Sequence, residues 1–133
     1  MHIVDTNIVA YLLLQGDRTE AARTLFARDP DWRSDSFVLV EFCNVLATML
    51  RARSLASAKA REALTKAEEI LDPGLQAATH SASLATAEEF GVAVYDARFL
   101  VVARALDARL ITEDARLRRA APALTQSLDQ ALA

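Results

Sequence analysis

The stretch that most limits how this chain can fold is its start, Met1-His2-Ile3-Val4-Asp5-Thr6-Asn7. Ile3 and Val4 read as the end of a short buried strand. Asp5 stops that apolar run, and Ile8-Val9-Ala10-Tyr11-Leu12-Leu13-Leu14 restarts it at once as a helix. A carboxylate between two apolar segments must either cap something or bind something, because burying it bare is costly. The capping reading is open, since Asp5, Thr6 and Asn7 are all good N-cap residues for the helix that follows. What decides between the two is whether other carboxylates arrive at comparable places.

Along the chain, short apolar segments continue to alternate with helices. Gln15-Gly16-Asp17 is a turn, and residues 18–28 carry Ala21, Ala22, Leu25 and Phe26 at helical spacing before Asp29-Pro30 ends the run. Residues 32–36 read as a short strand. Residues 37–53 then form a helix apolar on almost every face, which predicts burial. Glu41, Asn44 and Thr48 interrupt it and share one stripe. Ser54 is placed to cap a helix ending at Leu71, with Leu64, Ala67 and Leu71 on one face, and Asp72-Pro73-Gly74 breaks it. Residues 75–90 are Ala-rich and expected to be helical, with Gly91 as the C′ residue. Val92-Ala93-Val94-Tyr95 is a short extended or irregular lead-in, and Asp96 opens a nearly all-apolar helix over 97–106. Arg109-Leu110-Ile111-Thr112 is a buried strand by composition. Glu113-Asp114 starts a helix at 115–120, Pro122 ends it, and 123–128 read as a last strand before a short tail.

This alternation predicts an α/β chain, a parallel sheet with helices on both faces. In such sheets ligands bind beyond the carboxyl ends of the strands. Asp5 and Asp114 each follow a strand, Asp96 starts a buried helix, and Glu41 lies one turn inside another. No repeat or linker divides the 133 residues, which read as a single domain, 1–133, long enough for a sizeable core.

The net charge of −3 argues against broad electrostatic binding to nucleic acid, though not against an acidic site recharged by metal ions. All the basic residues but Lys59 and Lys66 are arginines, which suit forked phosphate contacts. A hydrophobic content of 53% leaves apolar surface that a subunit interface would cover. Cys43 is the only cysteine, so there is no disulfide framework and no cysteine-based zinc cluster; it is placed in the core. No apolar run approaches the roughly 18 residues of a membrane span. Residues 8–14 lack the basic flank and cleavage site of a signal peptide. A cytoplasmic protein with no membrane partner is expected.

Taken singly, Asp5, Asp96 and Asp114 are ordinary helix N-caps, and Glu41 an ordinary exposed glutamate. Together they are harder to dismiss. Glu41 and Asp96 are the only acids in two helices that otherwise look buried, buried charges need partners, and no basic residue lies near Glu41 in sequence. A shared divalent cation resolves the difficulty. Mg²⁺ and Mn²⁺ take oxygen ligands, and Mg²⁺ keeps several waters, so a few carboxylates suffice. Two such ions about 4 Å apart activate water and stabilise the leaving oxygen of a phosphodiester. Thr6, Asn7, Ser36, Asn44 and Thr112 lie beside the acids and are candidates to hydrogen-bond and orient them.

The pattern resembles the PIN-domain family of metal-dependent ribonucleases, most closely its VapC-like toxin branch. The matching residues are Asp5-Thr6-Asn7; Ser36 followed by Glu41, with Asn44; Tyr95-Asp96-Ala97 running into Phe99-Leu100-Val101-Val102-Ala103; and Leu110-Ile111-Thr112-Glu113-Asp114 with Leu117. They span the whole chain in family order. The resemblance implies a three-layer α/β/α fold with a short, mostly parallel central sheet. It also implies Asp5, Glu41, Asp96 and Asp114 as catalytic and metal-binding acids, Mg²⁺ or Mn²⁺ as cofactor, and RNA as substrate. A homodimer and a cognate antitoxin protein complete the expectation. Two departures stand out. Leu106-Asp107-Ala108 lacks the glycine with which many relatives turn, although Asp107 can adopt the left-handed conformation. Glu113 beside Asp114 offers a second acid, but the Thr-x-Asp spacing favours Asp114.

Arg116, Arg118 and Arg119 either grip RNA phosphates or form a solvated face. Arg98, close to Asp96, either neutralises it or touches substrate. His2 and His80 read as structural, and Ser36 has no histidine placed to activate it as a nucleophile. The reading is therefore hydrolysis of RNA by metal-activated water. The alternatives are a catalytically silent PIN-like protein-binding module, against which the presence of all four acids speaks, and a receiver-like signalling domain. The latter needs a lysine after a late strand, whereas Lys59 and Lys66 both lie in the middle helical region.

Overall fold

The computed structural model describes residues 1–133. At its centre is β1 (His2–Val4), whose Ile3 and Val4 are wholly buried. It pairs in parallel with β2 (Trp32–Asp35) on one side, His2 opposite Trp32, and with β4 (Leu110–Ile111) on the other, Ile3 opposite Leu110. β3 (Leu75–Gln76) adds outside β2 and β5 (Thr125–Gln126) outside β4, giving five parallel strands in the order β3-β2-β1-β4-β5. The expected parallel α/β sheet is therefore present. Strand order reverses direction between β1 and β4, and the crevice beyond the carboxyl ends there is where an open α/β sheet receives a ligand.

The helices are α1 (Thr6–Leu13), α2 (Thr19–Arg28), α3 (Phe37–Arg51), α4 (Ser57–Leu71), α5 (His80–Phe90), α6 (Val94–Ala105), α7 (Ala115–Ala120) and α8 (Leu128–Leu132). None is long and apolar enough to cross a membrane. The sheet residues Ile3, Val4, Leu110 and Ile111 join Ile8, Phe42, Leu71 and Leu100 from the helices in one core. Burying such side chains contributes roughly 1.5–3 kcal/mol each before conformational entropy is set against it. Gly91 ends α5 with φ 65°, and Asp107 takes φ 51° in the turn after α6, so the missing glycine is replaced by a residue that tolerates this region.

Several elements differ from the sequence reading. Residues 75–90 are not one helix. Asp72–Gly74 forms a 3₁₀ turn that brings Leu75–Gln76 against β2, and α5 starts only after Thr79, whose side chain caps it by accepting from the Ala82 N–H. Gly74 permits the approach: a Cβ there would lie 2.8 Å from the Trp32 carbonyl. The last strand is two residues long, and the tail folds into α8 through a capping box between Ser127 and Gln130. Ser54 caps nothing; its hydroxyl donates to the Met49 carbonyl, and α4 begins after Ala56. Asp96 lies in the first turn of α6 rather than opening it, because Ala93 is the N-cap. Nor is α3 buried all round. Val38, Phe42 and Leu46 form its buried stripe, whereas Val40 and Cys43 are exposed, so Cys43 is not a core residue.

Candidate active site

Asp5 leaves the carboxyl end of β1 and caps α1, its Oδ1 accepting from the Ile8 N–H at 3.3 Å. Asp114 follows β4 and caps α7, its Oδ1 accepting from the Arg116 and Leu117 N–H groups at 2.9 and 3.1 Å. Glu41 comes from one turn inside α3 and Asp96 from the first turn of α6. Local sequence explains both caps, since an acid directly after a strand satisfies the free N–H groups of the next helix. The four carboxylates nevertheless line one cavity of about 290 Å³, together with Thr6, Asn7 and Asn44. Phe99 and Leu117 form part of its apolar wall.

None of the four acids has a salt-bridge partner. Burial pushes the Asp5 carboxyl up to about 7, opposed by hydrogen bonds from the Thr112 side chain and the Ile8 and Asn7 backbone, with the Glu41 charge adding to the rise. Burial also raises Glu41; the Thr6 hydroxyl, donating to Oε1 at 2.7 Å, opposes this and the Asp96 charge adds to it. Asp96 is raised by burial and then by Asp114. No basic side chain neutralises this chain of like charges. Its donors are all oxygen, without histidine or cysteine, which matches Mg²⁺ or Mn²⁺ rather than zinc or copper. As they stand, no three of these side chains are grouped tightly enough to hold an ion. The fit thus rests on the donor chemistry and on four acids without a basic partner.

The remaining candidates divide. Thr6, Asn7 and Asn44 face the cavity. Thr112 is wholly buried; its hydroxyl accepts from the Asp114 N–H at 3.1 Å. Arg116 lines an adjoining cavity of about 320 Å³ that shares Asp96 and Asp114. Arg118 donates to the Thr112 carbonyl at 2.8 Å, and Arg119 is exposed outside both cavities. Ser36 and Arg98 are placed elsewhere. The Ser36 hydroxyl accepts from Arg98 Nη2 at 3.4 Å, and Arg98 Nε donates to Asp35 at 2.7 Å.

Asp35 is the residue that sequence reading missed. It is fully buried at the end of β2, and accepts from Phe37 N–H at 2.8 Å and Ala78 N–H at 2.9 Å as well as from Arg98. It fastens the start of α3 to the first turns of α6, the two elements that carry Glu41 and Asp96. Its position, an acid between a strand and a helix, repeats that of Asp5 and was the available signal.

Glu113 turns away from the cavity and accepts from the Leu128 N–H at 2.7 Å, at the start of α8. Asp114→Asn should therefore lower metal-saturated activity by at least about 10- to 100-fold, the range found when groups supporting a metal site are altered. Glu113→Gln should lower it much less. Steady-state rates of the two variants check this, and the reverse order would assign the site to the wrong acid.

A family model for the PIN domain matches residues 2–122. The chain belongs to the PIN domain family. PIN domains are generally nucleases and generally use divalent metal ions. Three solved structures share this PIN fold. PAE2754 from Pyrobaculum aerophilum superposes with a TM-score of 0.78 at 20% identity, over 98% of this chain and 92% of that one. A toxin–antitoxin complex from Klebsiella pneumoniae gives 0.67 at 19% identity, and FitAcB from Neisseria gonorrhoeae 0.68 at 16%, each over 96% of this chain and 98% of that one. No curated protein matches the chain.

Proposed function

We propose that this PIN domain hydrolyses phosphodiester bonds of RNA with Mg²⁺ or Mn²⁺, as the toxin of a toxin–antitoxin pair. The observation that carries the reading is the convergence of Asp5, Glu41, Asp96 and Asp114 on one cavity with no basic residue to neutralise them. Bound divalent ions would supply an activated water and charge compensation for the leaving oxygen. The chain's own part is to hold the acids. Thr6 fixes the Glu41 carboxyl, the first turn of α1 fixes Asp5, and the first turn of α7 fixes one oxygen of Asp114, leaving the other for the cavity. Asn7 and Asn44 add neutral hydrogen-bonding groups at the same wall.

The toxin assignment draws on the likeness to the Klebsiella toxin–antitoxin complex. It brings with it an antitoxin protein as partner, a homodimer and a cytoplasmic setting. Mg²⁺- or Mn²⁺-dependent cleavage of single-stranded RNA that EDTA abolishes and added metal restores is the expected result. Equal cleavage in EDTA by the wild type and by Asp5→Asn/Asp96→Asn would rule the mechanism out. Protein that binds an antitoxin but cleaves no RNA with any added divalent ion would favour the silent binding module.

A further inference from the structure

A polynucleotide has little electrostatic reason to settle on this protein. The net charge is −3, and of the arginines close to the site Arg98 is held by Asp35 and Arg118 donates to the Thr112 carbonyl, which leaves Arg116 as the one lining a cavity with the acids. One arginine is a small electrostatic handle, and the residues next to the cavity acids offer a second kind of grip. Tyr95 immediately precedes Asp96 in the first turn of α6 and is 60% exposed. Its ring stacks on Phe37, with centroids 5.3 Å apart and planes inclined by 17°. Phe37 begins α3 four residues before Glu41, so the two share a helix face. The stacked pair is thus tied to a cavity acid on each helix, Phe37 one turn before Glu41 and Tyr95 one residue before Asp96.

A lone exposed tyrosine is ordinary. This one is held flat by a fixed column. The Arg98 guanidinium lies 5.8 Å from the Phe37 centroid, and Arg98 is itself locked by the buried Asp35. Phe37 supports the Tyr95 ring, whose exposure leaves much of it open to solvent, next in sequence to Asp96. Single-stranded nucleic acids are bound by such surfaces, because every base has a π-face to stack.

We infer that Tyr95 is a stacking platform for a nucleobase of a single-stranded substrate, holding the nucleotide next to the phosphodiester that the acids address. The inference rests on the nuclease reading above and adds the group that grips the substrate. Base–aromatic stacking is worth about 5- to 150-fold in affinity by alanine substitution. Because the ring grips ground state and transition state alike, its loss should raise KM and leave kcat nearly unchanged.

The test begins by mapping wild-type cleavage of a long single-stranded RNA with Mn²⁺. A short synthetic RNA carrying the mapped site is then assayed with wild type, Tyr95→Ala and Tyr95→Phe, and again with an abasic nucleotide on either side of the scissile bond. Tyr95→Ala should raise KM by at least about fivefold, and Tyr95→Phe should recover most of that loss by keeping the ring. One abasic position should weaken the wild type as much as Tyr95→Ala does, and should add nothing in Tyr95→Ala. A KM for Tyr95→Ala within about twofold of wild type overturns the inference while leaving the nuclease reading intact, as does an abasic effect that multiplies with the mutation. If Tyr95→Ala instead lowers the particle mass in light scattering and its KM recovers at high protein concentration, the ring is a contact between protein chains and the inference fails. No wild-type cleavage of any RNA removes the nuclease reading and this inference together.

Discussion

Asp96→Asn should melt higher than the wild type in EDTA while losing most of its nuclease activity. Asp96 shares a cavity with three other carboxylates, and burial and Asp114 raise its pKa. Two carboxylates about 4 Å apart repel by roughly 4 kcal/mol at an effective dielectric of 20, before proton uptake or relaxation relieves it. Asparagine keeps the shape and deletes the charge. It also gives up a favourable interaction of about 0.3–1 kcal/mol with the first turn of α6. A net gain of about 1 kcal/mol, or roughly 4 °C, is expected. Functional sites commonly trade stability in this way.

The pH dependence follows from the same shifts. Asp5, Glu41 and Asp96 are all raised, Asp5 to about 7. A carboxyl raised in the folded state binds protons more tightly there than in the unfolded chain. Its contribution to stability is full below the unfolded value and is lost as pH rises through the folded one. In EDTA the wild type should therefore lose stability from about pH 4 to just above 7, and Asp96→Asn should lose less. Mn²⁺ competes with those protons, so its stabilisation of the wild type should be larger at pH 8 than at pH 5.5 and small in the mutant. Melting curves of both proteins, with and without Mn²⁺ at the two pH values, test all of this. If Asp96→Asn melts lower in EDTA and both proteins respond equally to Mn²⁺, Asp96 is structural and the shared site is wrong.

Arg98→Met should be among the most damaging single changes to folding. It leaves Asp35, wholly buried, with two backbone N–H donors and no counter-charge. Breaking a buried pair from one side costs about 3–5 kcal/mol, which for a chain of this size lowers Tm by roughly 10 °C or more. Asp35→Asn/Arg98→Met strands no charge and should lose less than Arg98→Met alone. Thermal unfolding of the two variants decides it. A drop of under about 2 °C for Arg98→Met would mean that the pair does not hold α3 and α6 together.

Much of the architecture was legible because strand-end acids leave a strong local trace. Asp5 and Asp114 stand where an apolar run stops and a helix begins, and both cap their helices as the sequence implied. Glu41 and Asp96 were legible as acids in otherwise apolar helices. What stayed hidden depends on distant partners or on very short elements. Leu75–Gln76 is a strand only because Ser34 and Asp35 pair with it, and two residues carry no periodicity. Arg98 read as neutralising Asp96 or touching substrate because Asp96 is near it in sequence, but its partner Asp35 is 63 residues away. The exposure of Cys43 was masked by an α3 apolar on nearly every face, and which stripe is buried is set by the elements packed on it. The tail helix was missed although Ser127 and Gln130 spell a capping box.

The most direct test of the account is anomalous diffraction at the manganese edge from crystals soaked with Mn²⁺. The account predicts at least one peak in the cavity bounded by Asp5, Glu41, Asp96 and Asp114, with their carboxylates drawn in toward it and no peak there for Asp5→Asn/Asp96→Asn. Soaked wild-type crystals with an empty cavity, or with manganese bound only elsewhere, would contradict it.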